Sequence, residues 1–194
     1  AVICEPQDGK ICTSQKGALR VCYIIHGRMS HGAMPLTGMS TAPAIARLIE
    51  GLHELEKSAV QDYGRDDFLG WPSYTPTVIR APSTGAPQLN VVPGEARMLV
   101  DVRTIPGQSH TAVQEELLQL AARVETEAQR NFRAYRRTLG ISQAQPLSIR
   151  VEFLTDRPCT ETDKEDPIVK SADWATRARW AVTPSYAGVP GATD

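Results

Sequence analysis

No apolar run in this sequence approaches the ~20 residues that a membrane-spanning helix needs. No internal repeat and no low-complexity tract interrupts it. An excess of one charge is also missing. With 21 Lys and Arg against 22 Asp and Glu, the formal net charge is -1, which leaves no electrostatic footprint for nucleic acid or an anionic membrane. The first residues, Ala-Val-Ile-Cys-Glu-Pro, contain no Met and no basic-then-apolar signal pattern, and read as a chain met in mid-domain. Cys4, Cys12, Cys22 and Cys159 include no C-x-x-C and no Cys/His cluster of zinc-finger spacing. A chain of this size and apolar content needs no disulfide staples, so the four read as thiols in a reducing cytoplasm.

What remains is an ordinary globular composition: 194 residues, 41% apolar and 22% charged, enough for one good core or one core plus a smaller piece. Period-two alternation of Leu19, Val21, Tyr23 and Ile25 with Arg20, Cys22, Ile24 and His26 predicts a strand with one strongly apolar face. A Gly-bracketed turn follows, Gly27-Arg28-Met29-Ser30-His31-Gly32-Ala33-Met34-Pro35-Leu36-Thr37-Gly38. Ser40 or Thr41 then caps an amphipathic helix over Ala42 to Leu55, with Pro43 in its first turn and a stripe of Ile45, Leu48, Ile49, Leu52 and Leu55. Polar residues from Lys57 to Tyr74 predict a loop, and Thr75 to Pro82 a second strand. Leu89-Asn90-Val91-Val92-Pro93-Gly94 reads as a turn into the clearest strand, where Ala96, Met98, Val100 and Val102 alternate with Arg97, Leu99, Asp101 and Arg103. Ser109 caps a long helix from Thr111 to about Arg133, striped by Val113, Leu117, Leu120, Ala121 and Val124. Ile149, Val151 and Phe153 mark a fourth strand.

The order β-α-β-β-α-β is the ferredoxin-like split arrangement. Right-handed crossovers place both helices on one face of a four-stranded antiparallel sheet, so the fold class is α+β. The other face carries Arg97, Asp101 and Arg103. Beyond 155 the character changes: a polar link, a helix from Pro167, a short strand over Val182 to Ser185, and a Gly-rich end at Gly191-Ala192-Thr193-Asp194.

The wording Gly-Arg-x-Ser-His-Gly-x-x-Pro-x-x-Gly around His31 resembles the lid, or dimerisation, domain of the M20 family of zinc-dependent peptidases and deacylases. That family includes succinyl-diaminopimelate desuccinylase, acetylornithine deacetylase, aminoacylase and carboxypeptidase G. Where it commonly has Asn-Ala before the helix, this chain has Ser40-Thr41. Leu89 to Gly94 followed by Asp101-Val102-Arg103 resembles a second family motif, and Cys4-Glu5-Pro6, Arg157-Pro158 and Gly191 to Asp194 resemble the flanks in the family's own order. The resemblance implies three parts: 1–16 as catalytic-domain fragment, 17–155 as lid, and 156–194 as catalytic-domain fragment.

The resemblance also implies a chemistry, hydrolysis of an amide or peptide by two zinc ions with a glutamate as general base. By position, Glu5 would ligate one metal. His31 would cross a dimer interface to the partner's active site and stabilise the oxyanion. Arg103 would bind a substrate carboxylate, Asn90 would help orient the same substrate, and Gly191 and Thr193 would line the pocket. Each residue has a plainer reading beside that one. His31 is then a surface histidine in a connecting loop, Arg103 the cross-strand partner of Asp101 or another sheet residue, Asn90 a turn former before Pro93, and Glu5 a solvated turn carboxylate.

The histidines His26, His31, His53 and His110 begin no His-x-Asp, and Glu115-Glu116 lies in the long helix, so the metal site's other ligands are not supplied. One acidic ligand cannot hold two zinc ions, and the expectation is an inactive central piece of an M20 hydrolase that binds no zinc by itself. The expected partners are a second copy and a small-molecule or peptide substrate with a carboxylate. The rival is a non-catalytic ferredoxin-like dimerisation or small-molecule-sensing module. His31 and Arg103 converging at one sheet edge would favour the enzyme; a buried pocket between two sheets would favour the sensor. An RNA-binding sheet is disfavoured, because the open face lacks an aromatic platform and the chain lacks basic charge.

Overall fold

The computed structural model describes residues 8–141 and 146–191. Glu5, Thr193 and the apolar run Ala1 to Cys4 lie outside the described residues.

Two long antiparallel strands form the spine, β2 (Gly17–His26) and β6 (Glu95–Thr104), paired without interruption from Gly17 opposite Thr104 to His26 opposite Glu95. With β4 (Ser73–Arg80) and β7 (Ser148–Arg157) they make a four-stranded antiparallel sheet in the order β4-β6-β2-β7. Alternation aims Leu19, Val21, Tyr23 and Ile25 of β2, and Ala96, Met98, Val100 and Val102 of β6, at one face, where all are buried. Helices α1 (Ala42–Tyr63) and α2 (His110–Thr138) cover that face with Leu48, Leu52, Leu117, Leu120 and Val124. Gly51 lets the helices approach: a Cβ there would run into the Leu120 side chain. The opposite sheet face carries Arg97, Leu99, Asp101 and Arg103, partly exposed, as the alternation requires.

α1 runs two turns further than its stripe of large residues predicts. Ala59, at 6% exposure, continues the stripe, and Glu56 accepts from the Tyr74 amide at 2.8 Å. The polar residues read as loop are this helix's solvated face. Gly64, at φ 69°, ends it in the left-handed region open to glycine. The expected loop therefore shrinks to the span between Gly64 and Pro72.

A second sheet lies outside this unit: β8 (Thr160–Glu161), β1 (Ile11–Gln15) and β9 (Tyr186–Val189), in the order β8-β1-β9. β1 is mostly Thr, Ser, Cys and Gln, which is why its composition did not read as a strand. β9 begins just after the expected Val182 to Ser185. α3 (Pro167–Trp180) runs up to Ala181, and 182–185 are used as the link, with the Ser185 carbonyl accepting from Ile11. A third, two-stranded ribbon pairs β3 (Ser30–His31) with β5 (Val91–Val92).

Candidate functional site

The ribbon carries two of the sequence-predicted residues. It leaves the sheet where β2 ends and β6 begins, tied there by the Gly27 amide to the Gly94 carbonyl at 2.7 Å. His31 lies opposite Val91, and the Gly32 amide donates to the Asn90 carbonyl at 2.7 Å, so His31 and Asn90 share one exposed tip. The backbones pack too closely here for side chains. A Cβ on Gly38 would meet the Arg28 carbonyl, and one on Gly94 the Met29 amide. The His31 ring is oriented as well as exposed. Its Nδ1 accepts from the Ala33 amide at 3.1 Å, so the neutral ring carries its proton on Nε2 and offers an N–H donor outward.

Arg103 lies at the other end of β6, on the open face. Its Nε donates to Asp101 Oδ2 at 2.7 Å, and Asp101 Oδ1 accepts from Arg20 at 3.3 Å. The ion pair with Asp101 is therefore present, along one strand rather than across two. It uses Nε only; among the described residues Nη1 and Nη2 carry no hydrogen bond, leaving the two-pronged edge that fits a carboxylate. A second cation stands close by. Lys16 donates to the Trp71 carbonyl at 2.6 Å, and burial, with the Arg103 charge behind it, pulls its pKa below the usual lysine value. Lys16 also donates its amide to the Val189 carbonyl, which puts Gly191, two residues on, at this same end.

His31 and Arg103 do not converge within one chain. The eight residue steps from Glu95 to Arg103 alone span about 27 Å of strand. Asn90 joins His31 at one end; Gly191 joins Arg103 at the other.

Sequence reading missed a third cluster at the Arg103 end. His110, the first residue of α2, is 8% exposed. Its Nδ1 lies 2.6 Å from Asp156 Oδ1 and its Nε2 2.8 Å from Thr104 Oγ1, and Gln114 donates to the other Asp156 oxygen at 2.8 Å. The connectivity is that of a hydroxyl–imidazole–carboxylate triad. Thr104, however, is fully buried, and Gly17 and the Cys159 backbone close over it, so no substrate reaches the hydroxyl. The cluster is a brace joining β6, α2 and the end of β7. Only the fold brings Asp156 to His110, 46 residues away.

Among the described residues no three His, Cys, Asp or Glu side chains are grouped to hold a metal ion. The described residues do not fit the zinc pair that the resemblance implies. No described helix is long and apolar enough to cross a membrane.

Comparison with known proteins agrees with the architecture. A family described as peptidase dimerisation domain, of the M20 group, matches residues 13–128. No curated protein matches the sequence. Among solved structures, the aminopeptidase PepT of Bacillus cereus superposes with a TM-score of 0.59 at 16% identity, over 95% of this chain and 41% of that one. The di-peptidase Dug1p of Saccharomyces cerevisiae gives 0.60 at 13% identity, over 95% and 45%. A hydantoinase/carbamoylase family amidase of Burkholderia ambifaria gives 0.59 at 17%, over 95% and 37%. The chain thus spans about two fifths of the length of these structures. A ferredoxin-like sheet with its helices on one face, matched by a family profile over more than half of its length, identifies the protein: the chain belongs to the M20 peptidases, a family of hydrolases, and carries their dimerisation domain.

Proposed function

We propose that this chain is the lid-bearing part of a metal-dependent M20 hydrolase that cleaves amide bonds in N-acyl amino acids or small peptides with a free carboxylate. Residues 17–155 form the lid; 1–16 and 156–194 belong to the catalytic domain. The zinc ions are to be sought outside the described residues, and no step is assigned to them. This chain's own contribution is binding and charge stabilisation. The Arg103 fork holds the substrate carboxylate, with Lys16 adding positive charge beside it. His31 Nε2–H faces the carbonyl oxygen as negative charge develops on it, and Asn90 orients the substrate from the same tip.

The observation that carries this reading is the separation of the two groups. About 27 Å of strand lies between them, so one substrate can meet both only if they come from different subunits of a homodimer. The β4 edge supports such a dimer. Val78 and Ile79 stand 36% and 50% exposed beside α1, whereas β7 presents Arg150, Glu152, Asp156 and Arg157. The reading also places the enzyme in the cytoplasm, on the strength of its free thiols.

Steady-state kinetics of single variants in the metal-loaded enzyme are the test. His31→Ala should lower kcat by about 10²–10³-fold with KM little changed, the usual loss for one oxyanion donor. Arg103→Ala should act mainly through KM, because the carboxylate is charged in ground and transition states alike. Full activity in His31→Ala removes its catalytic role.

A further inference from the structure

The last turns of α2 hold a buried cation that the hydrolase reading does not use. α2 has 29 residues, about 43 Å of helix, and packs along β7, whose ten residues span about 33 Å. It starts at the Arg103 end and overshoots the sheet at the His31 end. In that overhang Arg136 is 3% exposed. Its Nη1 donates to the Leu36 carbonyl at 2.6 Å, and its guanidinium lies 5.3 Å from the centre of the Phe132 ring. Nε has no partner, and no carboxylate lies within ion-pair distance among the described residues.

An arginine almost wholly out of water with no acid to neutralise it is a costly placement for structure alone. Leu36 sits in the 3-10 turn Pro35–Thr37 that closes the His31 loop. The loop's own ties are few. Met34 donates to the His31 carbonyl, Thr37 to Met34, Gly38 to Pro35, and Met39 exchanges bonds with Arg28. Among the hydrogen bonds of the described residues, the one from Arg136 joins this turn to a helix of the core.

We propose that Arg136 is a positioning residue for His31: its grip on the Leu36 carbonyl fixes the loop so that Nε2–H stands ready for the partner's substrate. The inference rests on the reading of His31 as an oxyanion donor.

Two measurements separate the inference from that reading. Amide hydrogen exchange on this chain compares wild type with Arg136→Met, which keeps length and burial but donates no hydrogen bond, and with Arg136→Lys, which keeps a donor. The amides of Thr37, Gly38 and Met39 should exchange about tenfold faster or more in Arg136→Met, with those of β2 unmoved, and Arg136→Lys should recover most of the protection. Equal exchange in wild type and Arg136→Met overturns the grip, whatever His31 does. If Arg136→Met loosens the whole fold, Arg136→Leu, which also donates no hydrogen bond, replaces it, and equal loop exchange in the Leu and Lys variants overturns the grip. In the metal-loaded enzyme, Arg136→Met should lower kcat and spare KM, and should add no further loss to His31→Ala. An unchanged kcat in Arg136→Met where His31→Ala is impaired overturns the positioning role. A fully active His31→Ala instead removes the hydrolase reading of His31 while leaving the exchange result standing.

Discussion

Thr104 shows how much a single buried hydroxyl can organise. His110 is held from both sides, Nδ1 against Asp156 and Nε2 against Thr104 Oγ1. Thr104→Val keeps the shape and leaves Nε2 unpaired in a dry site. The expected cost is about 1–3 kcal/mol, read as a lower urea midpoint at unchanged slope; an unchanged midpoint would mean that water already serves the ring. Legibility differed from residue to residue here. Asp101 and Arg103 are two apart on one strand, so alternation alone puts them on one face and made their pairing readable. His31 was found through the wording of its loop, which fixes a backbone path but not a ring tautomer. His110 and Asp156 meet only because α2 crosses back over the sheet.

At the scale of elements, large apolar residues were the reliable signal. Strands β2, β6 and β7 and the core stripes of both long helices follow from period and parity. The signal failed where small or polar residues do the packing. α1 continues on Ala59, and β1 is a strand of Thr, Ser and Gln because β8 and β9 take its hydrogen bonds from both sides. The β3–β5 ribbon is too short for any periodicity; its glycines Gly38 and Gly94 were visible, but not the contacts that require them. Gly51 was overlooked inside a good helical stripe, although the contact between α1 and α2 depends on it. Gly51→Val should wedge the helices apart at Leu120 and destabilise the chain by about 1–3 kcal/mol, despite the better intrinsic geometry of a non-glycine helix residue. Thermal unfolding measures it, and an equal or higher Tm would show that Leu120 can swing aside freely.

At the scale of the whole molecule, His31 and Arg103 stand at opposite ends of the sheet, and the proposed function needs a dimer to bring them together. Ile79→Lys places a charge on the exposed apolar edge of β4, where edge charges block strand pairing. Light scattering at high micromolar concentration should then report a monomer where the wild type reports a dimer; a dimer in both would move the interface elsewhere. The central claim, that His31 of one subunit completes the site holding Arg103 of the other, is tested most directly by mixing two impaired variants of the metal-loaded enzyme and assaying at substrate well below KM, where both are nearly silent. In a heterodimer of His31→Ala and Arg103→Ala, one of the two sites receives an intact Arg103 from its own subunit and an intact His31 from its partner. Random exchange makes half of the dimers heterodimers, so about a quarter of wild-type activity should return. No recovered activity, with subunit exchange verified, would contradict the account, because it would place both residues at one subunit's site.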